Sequence, residues 1–165
     1  MDDFFMDDLN LKDGIAAIIL QNSYNPIIQD IAQNIYDNGL DPNYLKLILK
    51  KHLISKITDI KDYALPFIVD YIRMALNDYV ITENEVKNIT LLKFYFKIKQ
   101  GDFFKYRYYD VVEILYNQFD KIYEDKTVTY DEEITKVELQ GLFDLSYDQF
   151  YKINQEYLAN KTQKV

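Results

Sequence analysis

Asn77-Asp78-Tyr79-Val80-Ile81-Thr82-Glu83-Asn84-Glu85 returns in outline 47 residues later, as Glu124-Asp125-Lys126-Thr127-Val128-Thr129-Tyr130-Asp131-Glu132. Asp78 pairs with Asp125, Thr82 with Thr129 and Glu85 with Glu132. Beyond the stretch, the same offset matches Leu92 with Leu139, Phe96 with Phe143, Ile98 with Leu145, Phe103 with Phe150 and Lys105 with Lys152. A fixed period of this length marks a duplicated supersecondary unit. The expected copies cover about residues 61–105 and 108–152.

Outward from this pair of loops the chain reads as helix. Asn25-Pro26 and Asp41-Pro42 each place a capping side chain before a proline at the first helical position. Asn38-Gly39 supplies a stop, because glycine takes the left-handed cap freely. Ile27, Ile28, Ile31 and Ile35 recur at helical spacing, as do Leu45, Ile48, Leu49, His52, Leu53 and Ile57. Lys46, Lys50, Lys51 and Lys56 occupy the other faces of the second stripe. Ile15 to Leu20 reads as a short buried helix, and Thr58 to Asn77 as a long one that kinks at Pro66 or starts near Leu65. Further helices are expected over Thr82–Gln100, Phe103–Tyr123, Thr129–Asp144 and from Ser146 to about Asn160, with Gly101 as a stop. No segment alternates with period two between turn residues, so strands are not expected.

The expected class is therefore all-α, a single domain of seven to eight helices containing internally duplicated hairpins. Residues 1–57 form an N-terminal helical segment packing on the body, 58–160 the duplicated unit, and 161–165 a frayed tail. In the N-terminal run Asp2-Asp3-Phe4-Phe5-Met6-Asp7-Asp8-Leu9, a first helical turn lays Phe5 and Leu9 on the body. The same run also has the make-up of a short partner-binding motif.

Composition narrows the function. Against 19 Lys and Arg stand 27 Asp and Glu, a net charge of −8 in 165 residues. Nucleic-acid phosphates and anionic membrane surfaces call for the opposite sign. A cationic protein surface or a metal cation is compatible. There is no cysteine, hence no disulfide and no thiolate nucleophile or ligand. The acidic N-terminus lacks the basic region of a secretory signal, and the apolar run at Ile15 is too short to span a bilayer. The expected location is the cytoplasm, with no membrane insertion.

The twin loops carry two readings. In the first, Thr82-Glu83-Asn84-Glu85 and Thr129-Tyr130-Asp131-Glu132 are capping boxes, and Ser146-Tyr147-Asp148-Gln149 is a third. In the second, Asp78 and Asp125, each seven residues before its Glu, bring Asp78, Glu85, Asp125 and Glu132 together about a pseudo-two-fold axis. Four carboxylates in one patch need a cation, and hard oxygen ligands suit Ca²⁺ or Mg²⁺. The loop is not an EF-hand, which needs acids at alternate positions and then Gly.

The run Met74-Ala75-Leu76-Asn77-Asp78, then Val80-Ile81-Thr82-Glu83-Asn84-Glu85, then an apolar helix, resembles the TerB-like (tellurite-resistance TerB) domain family over about residues 60–155. Tyr79 and Lys126 stand where that family carries glycine. The resemblance implies an internally duplicated helical fold, an acidic metal-binding patch and a scaffolding role without catalysis. Carried across, Asp78 with Glu85 and Asp125 with Glu132 form the patch. The other expectation is an acidic protein, of inhibitor or immunity type, that masks a basic partner without metal.

Other candidates read as structural. His52, the one histidine, lies on an apolar stripe with no nucleophile motif. Lys105-Tyr106-Arg107-Tyr108-Tyr109 interleaves base and aromatic as single-strand binders do, but fits a helix start with packed tyrosines. Asp110 with Glu113, and Asp131 with Glu132 and Glu133, read as a solvated helix face. Gly141, opposite Phe94 of the first copy, is expected to allow close helix packing.

Overall fold

The computed structural model describes residues 10–163. They form nine α-helices and no strand: α1 Leu11–Gln21, α2 Pro26–Asn38, α3 Pro42–Lys51, α4 Lys61–Ala75, α5 Glu83–Tyr95, α6 Asp102–Tyr106, α7 Tyr108–Ile122, α8 Tyr130–Leu142 and α9 Tyr147–Thr162. A 3-10 turn, Ile57–Ile60, leads into α4. The all-α class holds. The expected seven to eight helices become nine because the segment from Phe103 to Tyr123 divides at Arg107, whose φ of −132° breaks the helical run. The placement proposed for Phe5 and Leu9 lies outside the described residues.

Helix starts follow the capping residues. Asn25 and Asp41 accept from the amides of Ile27 and Asn43, at 3.1 and 2.8 Å, ahead of Pro26 and Pro42. Asn10 caps α1 in the same way, accepting from Asp13. Thr82, Thr129 and Ser146 all close the expected capping boxes. Helix ends differ more from expectation. α5 stops at Tyr95 rather than Gln100, since Lys97 turns left-handed at φ 53°. Its amide bonds Phe94 O and that of Ile98 reaches Lys93 O, the paired bonds of a Schellman end. Leu53 and Asp144 end α3 and α8 likewise. α4 runs through Pro66 from Lys61, so the long helix neither begins at Thr58 nor waits for Leu65. α9 continues through Lys161 and Thr162, where a tail was expected, and Lys161 pairs with Asp120 at 2.7 Å.

The chain divides into two compact units, Met1–Ile98 and Lys99–Val165. In unit 1, α1 packs on α2 and α4, α2 on α3, and α4 on α5. Their shared core holds Ile15, Ile28, Ile31, Ile35, Phe67, Tyr71 and Phe96. Leu20, expected inside, is exposed, since only Ile15 and Ile18 of that run face inward. In unit 2, α7 packs on α6 and α9. Phe119 sits at the centre, edge-on to Phe150 and Tyr157 at 5.7 and 5.4 Å, arrangements in which a ring edge meets a ring face favourably.

Local structure recurs at the 47-residue offset. α4 and α7, then α5 and α8, have the same lengths and start 47 residues apart. The left-handed residues recur as well: Tyr79 with Lys126 and Lys97 with Asp144.

Candidate functional site

The two acidic loops are built alike from the backbone outward. In unit 1, the Tyr79 amide turns back to Leu76 O at 3.2 Å, and Tyr79 takes φ 64°. Asp78 Oδ1 then accepts from the Val80 amide at 2.9 Å. Thr82 donates its amide and its hydroxyl to Glu85 Oε2, at 2.9 and 3.0 Å, while the Glu85 amide donates to Thr82 Oγ1 at 3.2 Å. In unit 2, Lys126 takes φ 65°, and Asp125 Oδ1 accepts from Thr127 at 2.9 Å. Thr129 donates to Glu132 Oε2 at 2.7 and 2.9 Å, and the Glu132 amide returns to Thr129 Oγ1 at 3.3 Å.

Each of the four acids therefore has one oxygen held by the backbone or hydroxyl of its own loop. Either loop contributes two of these four carboxylates, short of the six to eight oxygens that Ca²⁺ takes. Among the described residues, no group of three or more His, Cys, Asp or Glu is gathered as a metal ion would need. The residues of one loop do not by themselves make a site for such an ion.

Glu85 differs from Glu132 in burial, being only 6% exposed. It shares the interior of unit 1 with the fully buried Tyr71 and with Asn88. Burial, with the Glu85 charge adding to it, pushes the Tyr71 phenol up to about 12. The side chain of Asn88 lies near that phenol and offsets part of the rise.

The feature of unit 2 that does point outward lies on α8. Tyr130, Ile134 and Val137 follow one another at steps of four and three, so they share a face. They are 81%, 41% and 68% exposed. Gly141 continues the stripe, and a Cβ built there meets nothing within 4 Å, so no close helix approach explains it. The matching positions on α5 are Glu83, Lys87, Thr90 and Phe94, three of them polar. Asp131, Glu133 and Glu138 flank the α8 stripe. The one basic residue of the helix, Lys136, is turned away: it pairs with Glu133 at 3.1 Å and lies over the Tyr123 ring. The outer face of α8 is thus apolar along its middle and acidic along its sides. Period counting overlooked it because α8 also buries Leu139 and Leu142 on its other side. Comparison of the two copies position by position would have exposed the difference.

The remaining candidates have structural partners. His52 is half-buried at the end of α3, with Nε2 2.6 Å from Asp30 Oδ2. Asp110 pairs with Arg107 at 2.6 Å. Tyr108 packs edge-on against Phe104 and Tyr109 at the start of α7, whereas Tyr106 and Tyr109 are exposed, so the expected packing of the tyrosines holds only for Tyr108. No protein-family model, curated protein or solved structure matches this chain.

Proposed function

We propose that this chain is a non-catalytic binding module of TerB-like kind, and that its partner presents a basic, apolar-faced helix to the outer face of α8. The observation that carries the reading is the run Tyr130, Ile134 and Val137, exposed at helical spacing between acids. An isolated exposed apolar residue is ordinary, but an exposed stripe is the signature of a helix-in-groove or helix-on-helix contact. The acids at its margins favour a cationic partner and speed its approach, since complementary charge mainly raises association rate and specificity. The TerB-like part is supported by the twin loops and by left-handed backbone at Tyr79 and Lys126. No step of this reading passes through a metal.

A fluorescein-labelled amphipathic helix of Lys and Leu serves as the probe. Saturable binding that weakens as salt rises is expected. Ile134→Lys and Val137→Lys should each weaken it at least tenfold while leaving the helical circular dichroism unchanged. Binding that ignores both substitutions removes the α8 face from the reading. Calorimetric titration with Ca²⁺ and Mg²⁺ examines the cation separately: heat that disappears in Asp78→Asn and Asp125→Asn would restore the acidic patch.

A further inference from the structure

Between Asp41 and Asp59 the chain carries four lysines, one histidine and no acid, the inverse of a molecule whose net charge is −8. Unit 1 folds this stretch into α3 and the turn that follows it. Lys46, Leu49, Lys50, Leu53, Ile54 and Ser55 line an open groove of about 440 Å³. The basic side chains from Lys46 to His52 divide into two groups. Lys51 and His52 turn to Asp30, at 2.7 and 2.6 Å, and tie α3 to α2. Lys46 and Lys50 are exposed and make no ion pair among the described residues.

Leu53 is the unusual residue of the groove. It takes φ 58° at the Schellman end of α3, with its amide on Lys50 O at 3.1 Å and that of Ile54 on Leu49 O at 2.9 Å. Glycine is favoured there, because a Cβ crowds the neighbouring carbonyl in the left-handed region. Leu53 is also 92% exposed. The left-handed turn closes the end of α3, as at Lys97 and Asp144, but the apolar side chain that it holds in water meets no visible need of the fold. An exposed leucine in a groove beside two lysines free of ion pairs among the described residues points to a use outside the fold.

We infer that the α3 groove is a docking site for an acidic peptide segment bearing apolar side chains. Leu49, Leu53 and Ile54 form the apolar lining, and Lys46 and Lys50 receive carboxylates beside it. Two lysines and no stacking aromatic among the lining residues fit a peptide rather than a nucleic-acid strand, which needs a row of cations and ring platforms. The acidic remainder of the chain opposes an anionic membrane surface. The inference stands apart from the reading of α8: the groove belongs to unit 1 and has the opposite charge. Together they describe an adaptor with one surface for a basic partner and another for an acidic one.

The test uses the full chain and a fluorescein-labelled twelve-residue peptide of Asp and Leu, followed by anisotropy. Saturable binding that salt weakens is expected, with the Asp→Asn form of the peptide at least tenfold weaker. Leu53→Gly separates recognition from folding. It relieves the backbone, so the melting temperature should hold or rise, yet peptide affinity should fall at least tenfold. Lys46→Glu with Lys50→Glu should remove binding, and Val137→Lys should not touch it. No saturable binding, equal affinity for the uncharged peptide, or affinity unmoved by Leu53→Gly would each overturn the assignment.

Discussion

Tyr79 and Lys126 hold φ of 64° and 65°, a conformation that costs an L residue about 1–2 kcal/mol relative to glycine. Glycine loses part of that advantage through its freer unfolded chain. Tyr79→Gly and Lys126→Gly should therefore each stabilise the protein by about 1 kcal/mol, read from urea midpoints at constant slope. A second residue-scale prediction concerns alkali. Burial pushes Tyr71 and Tyr95 up to about 12 from the ordinary 10.0. The folded state favours their neutral phenols, so this stabilisation is complete below pH 10 and is lost as pH climbs toward 12. Phenolate absorbance near 295 nm should show these two groups ionising late, together with loss of helical signal. Capping residues were legible at this scale because each acts within three or four positions of itself. The burial of Tyr71 against Glu85 was not, since it depends on how α4 meets α5.

Each capping box of α8 and α9 satisfies two amides at a helix start, and Thr129→Ala or Ser146→Ala should cost about 1 kcal/mol in thermal or denaturant unfolding. Gly141 gives the opposite expectation. It lies in the last turn of α8 with open space at its Cβ position, so Gly141→Ala should stabilise by about 0.5–1 kcal/mol. Apolar period and caps placed most helices within a few residues. They failed where the spacing continues through a break: Ile98 and Phe103 extend an apolar pattern past Lys97, and Val111 extends one across Arg107. At Lys97 the reversal is set by hydrogen bonds to carbonyls three and five residues back, and at Arg107 the break is a single residue at φ −132°; neither leaves much trace in composition. Pro66 failed in the other direction. Proline inside a helix forfeits one hydrogen bond, and the continuous run from Lys61 to Ala75 absorbs that loss beneath a fully buried face including Ala64, Phe67, Ile68 and Tyr71.

At the scale of the molecule, the division at Ile98 gives unit 1 a core of its own, from Ile15 to Phe96. A fragment ending at Ile98 should keep its helical circular dichroism and melt cooperatively. A fragment that stays unfolded would mean that this core does not suffice without the rest of the chain.

The helical class, the net acidity, the caps and the 47-residue recurrence were readable from residue order, because each depends on composition or on neighbours within a few positions. The tertiary structure alone decided which apolar stripes are covered. Leu139 and Ile134 lie on one helix and look alike in the chain, yet one is buried and the other faces water. It also separated Lys46 and Lys50 from Lys51, alike in the sequence as lysines off the apolar stripe, because Asp30 on α2 claims Lys51 together with His52. Packing sets these distinctions because burial and ion pairing depend on what each face meets, and a sequence period gives only the face.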